Sequence, residues 1–295
     1  MSSADNRLLA RAAQFAFLTV LGVVLFAQRD SGERAAWNEP VKPFRIIGDI
    51  YYVGVSGVAS FLITTPQGHI LLDGGFPETA PIIEKNIAAL GFRIQDVKFL
   101  LNSHAHYDHC GGLAELKRFS GAQMVASRAD GEVLESGGRV SFEGWMNSEF
   151  PAVKVDRVIS DGETVKAGDF SLTAVLTPGH TKGCTTWTMP VNESGKTYHV
   201  VFYCSTTVPG YRLIGNPKYP QIVSDYERSF AKLRQLPCDV FLAPHGGFFH
   251  LDEKRGRLEK AGANPFIDPS EFGAFLKQSQ QDFYRELKAQ QADAK

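Results

Sequence analysis

Cysteine is scarce in this chain, with four in 295 residues, too few for a small disulfide-stapled scaffold. Neither sign of charge is in excess, since 31 Lys and Arg oppose 32 Asp and Glu for a net charge of −1. That balance excludes bulk electrostatic attraction to nucleic acid, and no nucleic-acid partner is expected. Internal repeats and low-complexity linkers are missing as well, so there is no solenoid and no boundary at which a second domain would start. A hydrophobic fraction of 43% is too high for a disordered chain. One long uncharged run is present, residues 12–28, behind Arg7 and Arg11. A basic start followed by an apolar core reads as a secretory signal over residues 1–27, leaving 28–295 as one domain. An uncleaved anchor is the rival reading, although the run is short against the roughly 20 residues of a membrane span. No Cys follows the run to carry a lipid.

Beyond this segment, short apolar runs alternate with helical patterns. Residues 46–55, 60–64 and 69–73 read as strands, the last closed by Gly74-Gly75. Residues 81–90 read as a helix with Ile83, Ile87 and Leu90 on one face and Gly91 after its end. Strands are expected at 97–101, 123–127, 170–176 and 240–243, with a hairpin of 185–189 and 197–203. Helices are expected at 113–119 and 222–236, and a C-terminal one opens at Asp268-Pro269-Ser270-Glu271 with Asp268 as N-cap. The whole is a mixed α/β chain with helices covering sheets.

The strongest chemical signal is Asn102-Ser103-His104-Ala105-His106-Tyr107-Asp108-His109. In an extended loop His104, His106 and Asp108 would face one side and His109 the other. Imidazoles with a carboxylate, and no thiolate cluster, form the ligand set of a catalytic rather than a structural zinc. His180 and His245 each follow a strand in a similar loop, where ligand sites of α/β folds collect. The expected assignment is therefore two zinc ions. His104, His106 and His180 would hold the first, and Asp108, His109 and His245 the second. His69, His199 and His250 lack this setting and read as structural or surface residues. Three protein ligands per ion leave positions for water, whose pKa the metal lowers, and the chemistry implied is hydrolysis of a polarised carbonyl or phosphoryl.

The pattern His-x-His-x-Asp-His resembles the metallo-β-lactamase superfamily. That resemblance implies an αββα sandwich of two packed sheets flanked by helices, with Asp73 bracing the metal loops. The stretches Asn102 to His109, Thr177-Pro-Gly-His180, Val208-Pro-Gly-Tyr-Arg-Leu-Ile-Gly-Asn-Pro217, Asp225 to Phe230 and Leu236 to His245 are similar to the third subclass of the zinc β-lactamases. The resemblance implies hydrolysis of the lactam amide of penicillins, cephalosporins and carbapenems in the periplasm, by a chain expected to be monomeric. Asp108 would hold the second zinc and orient the nucleophile. Ser205 and Thr207 would bind the substrate carboxylate; two loop hydroxyls bonding their own backbone is the alternative. Trp37 and the loop 141–150, with Phe142, Trp145 and Met146, either wall the pocket or pack internally.

No acidic residue stands between Tyr203 and Gly210, where many other superfamily hydrolases carry a metal-bridging Asp. In this region the first subclass of the zinc β-lactamases has a Cys that ligates the second zinc and the third has a Ser; the resemblance, aligned on Thr207-Val208-Pro209-Gly210, puts Ser205 at that place and implies that Cys204 is a non-ligand. Cys184 and Cys204 lie on opposite arms of the expected hairpin, at matching distances from its centre near Ser194, which predicts a disulfide. The subclass partner of Cys238 is missing, and Cys110 reads as a small buried thiol. Two rivals stay open: another dizinc hydrolase acting on a lactone or thioester, and an exported zinc-binding protein without catalysis.

Overall fold

Alternation along the strands divides the apolar side chains between two cores. Phe61, Ile63, Ile70, Leu72, Leu101 and Val125 belong to one, while Leu62, Leu71, Leu100, Met124 and Ala126 belong to the other. The structure is a computed structural model that describes residues 32, 34–143, 149–258, 260 and 262–294. The expected signal at 1–27, and Trp145 and Met146, lie outside the described residues.

Among the described residues two sheets are present. The first runs in the order β1 (Phe44–Ile47), β2 (Ile50–Tyr52), β3 (Phe61–Ile63), β4 (His69–Leu72), β5 (Val97–Leu101), β6 (Gln123–Ser127) and β7 (Arg157–Ile159). Its β1 to β4 pair antiparallel, and β4 to β7 pair parallel. The second comprises β8 (Thr164–Ala167), β9 (Phe170–Leu176), β10 (Thr185–Glu193), β11 (Lys196–Phe202) and β12 (Val240–Leu242), in the order β12-β11-β10-β9-β8.

The central core fills the space between the sheets. Phe61 and Ile70 meet Leu172, Trp187, Phe202 and Leu242 there. Burying one such large side chain is worth about 1.5–3 kcal/mol. The outer face of the first sheet is covered by the helices Ala80–Ala89, Leu113–Ser120 and Arg128–Ser136 through Ile83, Ile87, Leu113, Leu116 and Leu134. A further cluster joins the helix Ile222–Leu233 to the helix Glu271–Asp293 through Ile222, Tyr226, Phe230, Phe283 and Leu287. This is the expected αββα sandwich.

Three local expectations are corrected. Residues 46–55 are not one strand, because the chain reverses at Gly48 (φ 51°) and β1 pairs with β2 as a hairpin. Continuous hydrophobicity hid the turn, and only the Gly-Asp step marks it. Asp268 is not the helix N-cap, since the helix begins at Glu271 after Ser270. Its carboxylate instead accepts from Ser270 N and Oγ in a turn. The loop after β5 is not extended throughout, because Tyr107–Cys110 forms one helical turn. Helix Arg128–Ser136, helix Leu251–Leu258 and the short β7 and β8 have no counterpart among the expected elements. The strands β5, β9 and β12 each end in a histidine loop, and backbone bonds anchor these loops across the sheets, two of them to each other and the third to the segment before β3. Thr185 N donates to Ser103 O, and Ala59 N donates to Pro244 O beside His245.

Candidate metal centre

His104 and His106 lie on the extended part of the loop after β5, and His106 has φ −90° and ψ 151°. Asp108 and His109 lie on the helical turn that follows, so the turn rather than strand alternation swings them away from His104 and His106. Asp73 prepares this loop from below. It closes β4 with a φ of 63°, and its buried carboxylate accepts Ser103 N at 2.6 Å. Burial pushes the Asp73 carboxyl up to about 6.

His104, His106 and His180 form a near-equilateral triangle, with ring centroids 4.7, 4.7 and 4.6 Å apart, and all three are buried. Asp108, His109 and His245 form the second group. His109 Nε2 is 3.0 Å from Asp108 Oδ2 and 3.1 Å from His245 Nε2, and His245 Nε2 is 3.6 Å from that same oxygen. Within each group, ligand atoms lie within 4.8 Å of one another. The groups adjoin, since the rings of His104 and His109 are 4.3 Å apart.

Outer contacts decide which ring nitrogens face inward. His104 Nδ1 meets Ser103 Oγ at 3.0 Å, and His180 Nδ1 meets Thr207 O at 2.9 Å. His245 Nδ1 meets Gly57 O at 3.2 Å. His106 is engaged at Nε2, by Glu143 Oε1 at 3.3 Å and the Tyr211 hydroxyl at 3.2 Å. That leaves Nε2 of His104, His180 and His245 and Nδ1 of His106 for an ion. Such outer partners fix ring orientation in metal sites. His104 Nε2 and Asp108 Oδ1 are buried and have no hydrogen-bond partner, which is costly unless something else satisfies them.

The protonation states suit ligation. Burial, then the neighbouring imidazoles, pull His104 and His180 well below the usual histidine range. His245 is lowered to about 4 by burial and by His109. Burial opposes ionisation of Asp108, but His109 beside it outweighs this and holds the carboxyl well below the carboxylate range. Burial opposes protonation of His109, but the Asp108 carboxylate beside it outweighs this and raises the imidazole. Lowered imidazoles at His104, His180 and His245 with one ionised carboxylate, in a buried pocket, form a donor set that fits zinc or a similar divalent ion.

Ser205 Oγ and Thr207 Oγ1 are 3.1 Å apart, and Thr207 N donates to Ser205 Oγ. Thr207 Oγ1 is 3.2 Å from His180 Nδ1. The two hydroxyls thus lie together at the rim of the histidine triangle, while bonded to their own loop. Thr207 also borders a cleft of about 460 Å³ with Phe248, Phe275 and Gln278. The Trp37 ring stands 5.2 Å from His245 and is 40% exposed. Phe142 packs internally, on Tyr211 and Tyr219. His69 accepts from Thr65 N, His199 pairs with Asp239 near the surface, and His250 caps a short helical turn; none joins the centre.

Cys184 and Cys204 are joined by a disulfide, which removes Cys204 from the donor set. Cys110 and Cys238 are free.

Sequence reasoning missed three residues beneath the centre. Glu143 and Tyr211 meet His106. Asp130, fully buried, accepts from Asn102 Nδ2, Thr181 Oγ1 and Gly183 N, tying the two histidine loops together. Burial pushes its carboxyl up to about 7. A Cβ on Gly183 would sit 2.4 Å from Asp130 N, so glycine permits this approach. The readable signal for Asp130 was Ser127-x-x-Asp130, a helix start, whose Ser127 Oγ accepts Asp130 N.

The family model of the metallo-β-lactamase superfamily matches residues 53–245. A solved structure of BJP-1, a subclass B3 metallo-β-lactamase of Bradyrhizobium japonicum, is 43% identical, covering 88% of this chain and 98% of that one, with a TM-score of 0.83. Native FEZ-1 metallo-β-lactamase from Legionella gormanii is also 43% identical, covering 86% and 98%, with a TM-score of 0.84. Among curated proteins, the N-acyl homoserine lactonase AttM of Agrobacterium fabrum is 32% identical over 152 residues, or 43% of this chain. The chain spans 57% of the length of that lactonase.

Proposed function

Because the chain belongs to the metallo-β-lactamase superfamily of metal-dependent hydrolases, we propose that it is a zinc β-lactamase of the B3 kind, hydrolysing the lactam amide of penicillins, cephalosporins and carbapenems. The observation that carries this reading is the pair of adjoining triads, His104-His106-His180 and Asp108-His109-His245, in a chain 43% identical to B3 enzymes. His104, His106 and His180 would hold one zinc ion, and Asp108, His109 and His245 the second. When bound, such ions would supply Lewis acidity toward a carbonyl and lower the pKa of a bound water.

The residues do the rest. Asp108 stays ionised and turns one oxygen toward His109 and His245, leaving Oδ1 buried and open. In this geometry it orients the attacking water against the substrate. Ser205 and Thr207 exchange their mutual hydrogen bond for the substrate carboxylate, which sets the lactam beside the histidine triangle. Trp37 closes the side next to His245. No side-chain nucleophile is required. Export of the chain to the periplasm, with residues 1–27 as signal and 28–295 as a single domain, agrees with a disulfide, which persists in oxidising compartments. Among the described residues no helix is long and apolar enough to cross a membrane.

A lactone hydrolase is the second reading, favoured by the identity to AttM. The stretch from Tyr203 to Gly210 bears no carboxylate, which weighs against it. Zinc content together with turnover of a chromogenic cephalosporin and of an N-acyl homoserine lactone separates the two. Two zincs with fast cephalosporin turnover is the expected result. Two zincs with turnover of the lactone alone refutes the lactamase reading.

A further inference from the structure

We propose that Glu143 is a positioning residue for the first metal, holding His106 with Nδ1 toward the ion and strengthening that nitrogen as a donor. The inference rests on the dizinc reading above. Glu143 is 3% exposed, and among the described residues no Lys or Arg forms a salt bridge with it. A buried carboxylate without a cation is costly. What surrounds it is His106 Nε2 at 3.3 Å, the Ser141 hydroxyl, and the Tyr211 hydroxyl, which itself lies 3.2 Å from His106 Nε2.

Of the three imidazoles in the first triad, His106 is singled out. His104 and His180 have uncharged outer partners, a serine hydroxyl and a backbone carbonyl. His106 has a carboxylate. It is also the ring turned the other way, with Nε2 outward and Nδ1 left for the ion. Glu143 accepts the Nε2–H proton and so selects the tautomer whose lone pair is on Nδ1. Its negative charge also lies one imidazole away from the positive charge that this triad, which contains no carboxylate, would hold. The second triad has its own carboxylate in Asp108. Glu143 therefore acts selectively on the first ion.

The test resolves the two sites. Glu143→Gln and Glu143→Ala are made in the wild-type chain, in an Asp108→Ala background that leaves the histidine triad, and in a His180→Ala background that leaves the other triad. Zinc affinity is measured by competition with a chromophoric chelator, and far-ultraviolet circular dichroism verifies folding. E143Q is nearly isosteric and decides the matter if E143A does not fold. In the Asp108→Ala background E143Q is expected to weaken zinc binding by about 10–100-fold, and in the His180→Ala background to leave it unchanged. Unchanged affinity in the first background, or equal losses in both, overturns the inference while the dizinc reading stands. A wild-type chain that takes up no zinc overturns that reading and the inference with it.

Discussion

Replacing His180 by Ala removes one of three donors from a triangle whose members are too buried for water to substitute freely. Lactam turnover by His180→Ala or Asp108→Ala is expected to fall by at least about a hundredfold, in line with loss of a ligand or its partner in metal sites. Near-normal kcat/KM in either variant would remove that residue from the centre. Asp130 makes a different kind of prediction. Its carboxyl titrates near 7 in the folded chain, against an ordinary value of 3.8, because it is buried. Between these values the folded state keeps a proton that the unfolded state has released. The contribution to stability is thus present below about pH 4 and declines as pH rises toward 7. Asp130→Asn cannot titrate, so the melting temperature of wild type minus that of the variant should shrink from pH 5 to pH 8. Parallel curves would contradict the assignment. Single residues were legible where the chemistry is local in sequence: His104, His106, Asp108 and His109 announce themselves by spacing. Glu143 lies 37 positions from His106, and nothing in an isolated Glu tells which imidazole it will meet.

At the scale of elements, the hairpin of β10 and β11 carries the disulfide just beyond its paired ends, with the cysteines separated by 20 positions in sequence. A loop of that length corresponds to about 3 kcal/mol of chain entropy removed from the unfolded state. Cys184→Ser with Cys204→Ser is expected to lower unfolding free energy in urea by about 2–4 kcal/mol. Denatured, unreduced wild type should titrate as two thiols, from Cys110 and Cys238, and four would deny the bridge. Beside it, fully buried Trp187 on β10 donates its indole N–H to Asn102 O at the base of the histidine loop. Strands were readable wherever apolar alternation or flanking turns marked them, as at β5, β6 and β9. The short β7 and β8 were not, because β7 (Arg-Val-Ile) and β8 (Thr-Val-Lys-Ala) offer too few residues to establish a period.

The whole molecule presents its chemistry at one edge, where loops from both sheets converge. Ligands to the first triad come from the loop after β5 in one sheet and the loop after β9 in the other, so an ion bound there ties the two layers together. Zinc should therefore stabilise the fold as well as activate it. A strong chelator is expected to abolish lactam hydrolysis and lower the melting temperature together. A serine-directed inactivator should do neither. Loss of activity with an unchanged melting curve would mean that the ion does not bridge the sheets.

The sequence by itself pointed to the six residues that the fold gathers into two groups, the main strands along the chain and the pairing of Cys184 with Cys204, because each rests on spacing along a short stretch of chain. Tertiary structure alone decided which nitrogen each histidine presents, the helical turn that swings Asp108 and His109 to the second group, and the burial of Asp130 and Glu143 beneath the centre. Those features depend on which loops pack together across two sheets, and burial, which shifts the pKa values and leaves the donors without partners, exists only once that packing has formed.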